Sequence, residues 1–407
     1  MVEEQTTAAN PNNARPAARA GLAEHALLSV PGEMPFVSIV IPCFNEERFI
    51  FKVLENLAGQ YQPGRSEIIV VDGRSTDATR ERIAEFKRAY PNLPVRLVDN
   101  PARNIPAGVN LGIEEARGDI IVRMDAHSIP SANYVRRCVE QLGGGAAAAG
   151  KGNGEEAAAV VGMPWRIQPG AETRAARSIA LAVAHPFGIG DAKYRMPERA
   201  EGGAATTEFV DTVPFGVFRK SLWREVGGFN EGLLANEDYD FHYRIRERGG
   251  RILLDTSGHS LYFARPTIKE LARQYFRYGT WKAQMVKLHP RSLRPRQLVA
   301  PAFVASVAST ALLGFWWSPA WWLLLLAVVP YTLLSLFCAF RLARRGRDLS
   351  LMPLIAIIFP VLHVAWGTSF WLGLIRAPRH KVEGKDEVSI KDEASIKHEV
   401  NIKDETK

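Results

Sequence analysis

Between residues 36 and 124, four short apolar runs alternate with stretches whose apolar residues recur every three or four positions. That alternation constrains the fold more than any other feature of the chain. The runs Phe36–Pro42, Glu67–Val71, Val95–Val98 and Ile120–Met124 are rich in Val and Ile and have the length of strands buried on both faces. After the first run, Phe49, Ile50, Val53, Leu54 and Leu57 share one helical face, and Asn45 stands where it can cap that helix. Ser75 to Asp77 offer caps for a second helix, and a third runs through Asn110–Ala116. A β-α-β-α order of this kind predicts an α/β fold with a mostly parallel, doubly wound, Rossmann-like sheet and right-handed crossovers. Such sheets hold their ligands at the carboxyl ends of the strands.

At that predicted edge the fourth run stops at Asp125, and His127 follows two residues later. A carboxylate and an imidazole so spaced can reach one ion and the anion it neutralises. Asp72 ends the second run, and Asn236-Glu237-Asp238-Tyr239-Asp240 opens a later helix that extends to about Arg248. Each of these residues also has an ordinary reading. Asp72 and Asp125 serve as turn residues, Glu237 and Asp238 offset a helix dipole, and His127 is a loop histidine. Their order along the chain is what favours chemistry.

Farther along, Gly143–Ala159 reads as a flexible Gly/Ala-rich insertion. Val160–Met163 and Phe215–Arg219 have strand character, Ser221–Val226 reads as a short helix, and Arg251–Leu254 closes the globular part. Ile167–Ala200 is basic and irregular, with His185–Asp191 expected as a loop over the site. From Thr267 to Gln297, Ile268, Leu271, Tyr275, Tyr278, Trp281, Met285 and Leu288 recur mostly at steps of three and four, among eight Lys/Arg and one acid. This predicts an amphipathic helix on a membrane face, and a helix packed on the globular domain is the alternative.

Three uncharged apolar runs follow, at 298–317, 320–340 and 351–375, each close to the roughly 20 residues that cross a bilayer core. Arg291, Arg294 and Arg296 precede the first, Arg341, Arg344, Arg345 and Arg347 follow the second, and Trp316, Trp317, Trp321 and Trp322 crowd the turn between them. The positive-inside tendency then places both basic flanks in the cytoplasm. Pro360 interrupts the third run, which either spans or re-enters.

The organisation expected is a disordered arm over residues 1–34 and a globular domain over 35–265. An interfacial helix region at 266–297, a membrane region at 298–376 and a charged tail at 377–407 follow. The arm lacks the basic and apolar segments of a secretory signal, so the apolar runs are expected to direct this protein to the inner membrane. The excess of 51 Lys+Arg over 43 Asp+Glu is concentrated beside those runs, which favours a lipid surface over nucleic acid. Cys43, Cys138 and Cys338 are scattered and odd in number, which argues against a disulfide framework or a zinc site.

Over residues 36–290 the motif order resembles the family 2 glycosyltransferases of GT-A fold, and more narrowly the membrane-bound exopolysaccharide transferases of succinoglycan type. Val37-Ser-Ile-Val-Ile-Pro-Cys-Phe-Asn-Glu46 resembles the family's first strand and nucleotide loop, which implies that Pro42, Phe44, Asn45 and Glu46 lie beside a uridine. Val70-Val-Asp72-Gly-Arg-Ser-Thr-Asp77 resembles the strand whose acid binds uracil, and Arg103 through Asn110 the segment that closes over the nucleotide. Met124-Asp125-Ala126-His127 stands in the place of the D-x-D motif, with His127 where the second carboxylate binds metal. Imidazole in that position tilts the ion from Mg²⁺ toward Mn²⁺. Glu237-Asp238 resembles the acidic pair whose second member is the base, and Gln274-Tyr-Phe-Arg277-Tyr278 resembles Q-x-x-R-W with Tyr for Trp.

The resemblance implies an inverting transfer from a nucleotide sugar, a UDP-linked hexose, to a polyprenyl-diphosphate-linked glycan. Arg277 would hold the leaving diphosphate, and Tyr278 would line the acceptor channel. A processive synthase of cellulose or hyaluronan type is one alternative, although three apolar runs are few for a polymer channel. A non-catalytic nucleotide-sugar-binding scaffold is another, suggested by the altered D-x-D.

Overall fold

The computed structural model describes residues 35–60, 64–147, 158–196 and 206–376 of the 407-residue chain. The arm expected at 1–34, most of the Gly/Ala insertion and the tail at 377–407 lie outside the described residues.

The amino-terminal half follows the alternation in the sequence. Strand β1 (Val37–Cys43) leads to α1 (Ile50–Ala58), β2 (Ser66–Asp72) to α2 (Thr79–Ala89), and β3 (Val95–Asp99) to α3 (Ile105–Glu115). Then come β4 (Ile120–Arg123), the two-residue β5 (Ile129–Pro130) and α4 (Tyr134–Ala147). The next elements are β6 (Val160–Gly162), β7 (Trp165–Gln168), α5 (Arg174–Ala182) and α6 (Pro186–Ile189). After them lie β8 (Thr207–Val210), β9 (Val217–Arg219), α7 (Lys220–Val226) and α8 (Glu237–Glu247). Strands β10 (Ile252–Asp255) and β11 (Ser260–Phe263) precede four long helices: α9 (Ile268–Leu288), α10 (Val299–Leu313), α11 (Pro319–Arg345) and α12 (Met352–Ile375).

The main sheet has the order β3-β2-β1-β4-β9-β6-β10-β8. Strands β3, β2, β1 and β4 are mutually parallel, β9 is antiparallel to both β4 and β6, and β8 is antiparallel to β10. The register sets Cys43 beside Asp72, and Met124 N–H donates to Val40 O. The ends of β1, β2 and β4 therefore form one edge. Both faces are apolar: Ile39, Ile41, Val70 and Val122 pack into one cluster, and Val40, Ile69, Val71 and Ile121 into the other. A small second sheet, β5-β11-β7, carries the chain on from the main sheet, so Arg251–Leu254 does not close the globular part.

Asn45 does not cap α1, which starts at Ile50. It adopts φ 53°, its N–H donates to Ser75 Oγ at 2.8 Å, and its Oδ1 accepts from Thr76 N–H at 2.8 Å. The residue thus ties the β1 loop to the β2 loop. The segment expected as a loop at His185–Asp191 contains α6, whose Phe187 carbonyl accepts from His363 of α12 at 2.9 Å.

Helices α9 and α12 run parallel along their whole length. Leu271 and Tyr275 share a cluster with Ile355, Ile358, Phe359 and Leu362, the Gln284 amide donates to Gly373 O at 2.8 Å, and Lys287 donates to Arg376 O. Gly279 permits this approach, because a Cβ there would collide with Ser369 and the Trp366 carbonyl. Leu271, Tyr275 and Met285 of the amphipathic stripe are therefore buried in protein. Despite Pro360, α12 is one unbroken helix. By length and composition the segments Pro295–Leu313, Pro319–Arg345 and Leu349–Ile375 can each cross a membrane, and three such apolar helices fit membrane association.

Candidate active site

At the edge formed by β1, β2 and β4, one side chain gathers the acids. Arg123, the last residue of β4, is almost fully buried. Its Nη2 lies 3.1 Å from Asp125 Oδ1 and donates to Glu237 Oε1 at 3.3 Å, while its Nη1 donates to Asp238 Oδ2 at 2.9 Å. The Phe215 ring lies 5.5 Å from the guanidinium, on a residue held at φ 61° just before β9. A buried guanidinium is tolerated only with such partners, and its fork suits several carboxylates at once. Burial lowers its proton affinity, but the three acids outweigh that and keep it charged.

Burial is also the largest influence on the two acids of α8. It pushes Glu237 up to about 8, reinforced by Asp238 and opposed by Arg123. Asp238 is raised too, by burial first, with Arg123 pulling it down and Asp125 pushing it up. Asn236 before them takes φ 64° and donates to Tyr278 O at 3.4 Å, joining the start of α8 to α9.

Pro42, Phe44, Asn45, Glu46, Arg103, Asp125, His127, Glu237, Asp238, Gln274, Arg277 and Tyr278 all line one cavity of about 2830 Å³. His127 Nδ1 lies 3.1 Å from Glu46 Oε1. Among the described residues no three His, Cys, Asp or Glu side chains converge as a metal cage. Asp125 and His127 nevertheless both face the cavity, and that donor pair suits a divalent ion completed by oxygens of a bound ligand and water.

Two of the expected nucleotide residues are held by partners within the protein. The Asp72 carboxylate is fully buried, accepts from Ser75 and Arg80, and does not line the cavity, because Arg80 and the following turn consume its lone pairs. Asn110 is likewise turned away from the cavity. Its Oδ1 accepts from Phe229 N–H at 2.8 Å and Trp223 Nε1 at 3.1 Å, which fixes α3 to the turn after α7. Both residues shape the edge without facing it.

On α9 the Gln274 amide lies 3.0 Å from the Tyr278 hydroxyl and 3.1 Å from that of Tyr262. With its oxygen turned toward them it also accepts from Arg265 Nε at 3.2 Å. Burial raises Tyr278 to about 12, so its hydroxyl stays protonated and available as a donor. Arg123 was not among the expected site residues. Its signal was an arginine inside a buried apolar strand, which has to be paired.

The sequence profile described as glycosyl transferase family 2 matches residues 38–185. The chain is 30% identical over 344 residues to the succinoglycan biosynthesis protein ExoA of Rhizobium meliloti (strain 1021), covering 83% of this chain and 94% of that protein. It is 25% identical over 256 residues to a dolichyl N-acetyl-alpha-D-glucosaminyl phosphate 3-beta-D-2,3-diacetamido-2,3-dideoxy-beta-D-glucuronosyltransferase of Methanococcus voltae, covering 62% of this chain and 75% of that one. In fold it is similar to the mannosyltransferase PcManGT from Pyrobaculum calidifontis in complex with GDP-Man and Mn²⁺ (TM-score 0.52, 17% identity, 88% of this chain and 96% of that one). With the sheet, its acid-lined edge and a relative of that identity matched over nearly its whole length, the chain belongs to glycosyl transferase family 2 and is a glycosyltransferase.

Proposed function

We propose that the protein transfers a sugar from a nucleotide-sugar donor, a UDP-linked hexose, to a polyprenyl-diphosphate-linked glycan, with inversion, during exopolysaccharide assembly. The observation that carries this reading is the Arg123 cluster, which draws Asp125 and Asp238 from distant parts of the chain to one cavity edge. The names of the relatives, one in succinoglycan biosynthesis and one acting on a dolichyl-linked sugar, support a glycan acceptor carried on a lipid.

In this reading Pro42, Phe44, Asn45, Glu46 and Arg103 receive the nucleotide, and Asp72 and Asn110 hold the surrounding loops. Asp125 and His127 would hold a divalent cation, Mn²⁺ or Mg²⁺, which supplies Lewis-acid stabilisation of the leaving diphosphate. Arg277 adds a fixed positive charge to that end of the cavity. Asp238 accepts the proton of the acceptor hydroxyl, since an alcohol is a poor nucleophile until that proton is taken. Burial and the adjacent Asp238 raise the proton affinity of Glu237, which favours placing the negative charge of the pair on Asp238. Incubating membranes that contain the protein and lipid-linked glycans with labelled UDP-hexoses tests the proposal. Label should pass to the lipid fraction from one donor, whereas release of free sugar alone, or no consumption, would contradict it.

His127→Ala is expected to raise the Mn²⁺ concentration for half-maximal transfer by about tenfold, the scale of losing one ligand contribution. An unchanged Mn²⁺ titration would remove His127 from the cation site.

Helices α10 and α11 are read as a hairpin crossing the inner membrane, with the catalytic domain on the cytoplasmic side. Helix α12 packs on that hairpin, where Trp371 donates to Pro301 O at 2.9 Å and Ser335 to Ala356 O at 3.1 Å. It packs also on the catalytic domain: Arg177 of α5 pairs with Asp348 at 3.2 Å before it, His363 meets Phe187 midway, and Lys287 meets Arg376 at its end. A helix flanked throughout by α9, which carries Lys269, Arg273, Arg277, Lys282 and Lys287, is not free to cross alone. Arg376 then stays cytoplasmic, which agrees with the positive-inside tendency. A reporter fused after the last residue should be active only in its cytoplasmic form, and periplasmic activity would overturn this topology.

A further inference from the structure

The cavity extends beyond the acid-lined edge. Its far arm is walled by Phe187, Phe303, Tyr331, Leu334, Leu362 and Trp366, contributed by α6, α10, α11 and α12. A nucleotide sugar has no apolar chain to place there. Arg195, in the turn that follows α6, also lines the cavity. It is nine-tenths buried, and its guanidinium lies 4.9 Å from the Trp165 ring and 5.5 Å from the Tyr194 ring. Its Nη1 donates to the Tyr275 hydroxyl at 3.4 Å.

Three other buried or half-buried arginines near the site are held by acids. Arg123 holds three acids, Arg244 pairs with Asp240, and Arg296 pairs with Asp191 and Asp211. Among the described residues no carboxylate pairs with Arg195, and the groups that act on it are tyrosines. A cation taken this far out of water without an acid is costly unless an anion arrives to complete it. Stacking on Trp165 offsets part of that cost.

The aromatic network connects this position to the chemistry. Trp165 stacks on Tyr262 at 4.2 Å between centroids, Tyr262 reaches Gln274, Gln274 reaches Tyr278, and Asn236 beside the acidic pair reaches the Tyr278 carbonyl. Arg195, the apolar walls and the acidic pair thus belong to one continuous cavity.

We propose that Arg195 and the apolar arm between α6, α10, α11 and α12 form the binding site for the phosphate and first isoprenyl units of a polyprenyl-diphosphate acceptor. This rests on the lipid-linked-acceptor reading above and adds where that lipid is held. Planar guanidinium matches phosphate oxygens in pairs, while the apolar walls gain by covering the hydrocarbon.

The test uses the full-length protein in nanodiscs with three probes: farnesyl diphosphate, inorganic diphosphate and UDP. Wild-type protein should bind farnesyl diphosphate more tightly than inorganic diphosphate. Arg195→Gln should weaken farnesyl diphosphate about tenfold or more, the scale of a lost charged hydrogen bond, and leave UDP unchanged. Arg195→Lys should retain part of the affinity. Leu334→Trp, on an exposed position of α11 that lines the arm, should weaken farnesyl diphosphate but not inorganic diphosphate. Unchanged farnesyl diphosphate binding in Arg195→Gln overturns the assignment. Parallel loss of UDP binding also overturns it, by placing Arg195 at the donor diphosphate. If wild-type protein binds UDP but not farnesyl diphosphate, the lipid site fails while the glycosyltransferase stands; failure to bind UDP strikes the donor reading instead.

Discussion

Asp238→Asn is expected to abolish nearly all transfer while leaving donor binding intact. The side chain keeps its size and can still meet the Arg123 Nη1, which it now approaches at 2.9 Å, but it no longer accepts a proton. Loss of a positioned general base costs about 10² to 10⁴ in rate. The pH profile gives a second readout. Burial raises the Asp238 carboxyl above the ordinary aspartate range, with Arg123 opposing and Asp125 reinforcing. The base acts only when deprotonated, so transfer should rise with pH through that raised value, and this acidic limb should disappear from the residual activity of Asp238→Asn. Single-turnover transfer and UDP-sugar binding, measured on the same preparations, check both expectations; undiminished turnover would remove Asp238 as the base.

Arg123→Met is expected to damage both stability and activity. Three carboxylates that now share one guanidinium would face each other across a buried edge. Breaking a buried ion cluster by removing one partner costs about 3–5 kcal/mol. The pH dependence has a definite sign. Without Arg123 the folded-state pKa values of Glu237 and Asp238, already raised by burial, rise further above their unfolded values. The folded state then binds more protons than the unfolded one, so the stability deficit of the variant grows as pH rises above the unfolded carboxylate range and shrinks on acidification. Arg123→Lys keeps one charge but loses the fork, and should fall between the two. Thermal unfolding from pH 5 to 8 checks the trend, and a deficit independent of pH would mean that Arg123 contributes packing rather than charge.

Much of the fold was legible because strands buried on both faces have to be written as apolar runs. β1, β2 and β4 carry Ile39, Val70 and Val122 into the core, and the turns after them carry the polar residues of the edge. The four-residue strands β7 and β11 leave no such trace, since Trp165–Gln168 and Ser260–Phe263 are too short for a period to register. The reversal of β9 against β4 is a matter of long-range pairing, which local pattern does not encode.

The site was legible in residue types and less so in their direction. Asp125, His127, Glu237 and Asp238 meet at one cavity, whereas Asp72 and Asn110, chosen by the same motif logic, turn toward Arg80 and the Phe229 backbone. An aspartate at a strand end can serve ligand or turn, and only the neighbouring arginine decides which. The amphipathic stripe of α9 was similarly ambiguous. Leu271 and Tyr275 have the spacing of a membrane face, and α12, some 80 residues later, is what they cover.

The anomeric configuration of the product tests in-line attack primed by one carboxylate most directly. NMR of the lipid-linked glycan made from a donor of known configuration should show the opposite configuration in the new linkage. A product that retains the donor's configuration would contradict a single-base displacement by Asp238.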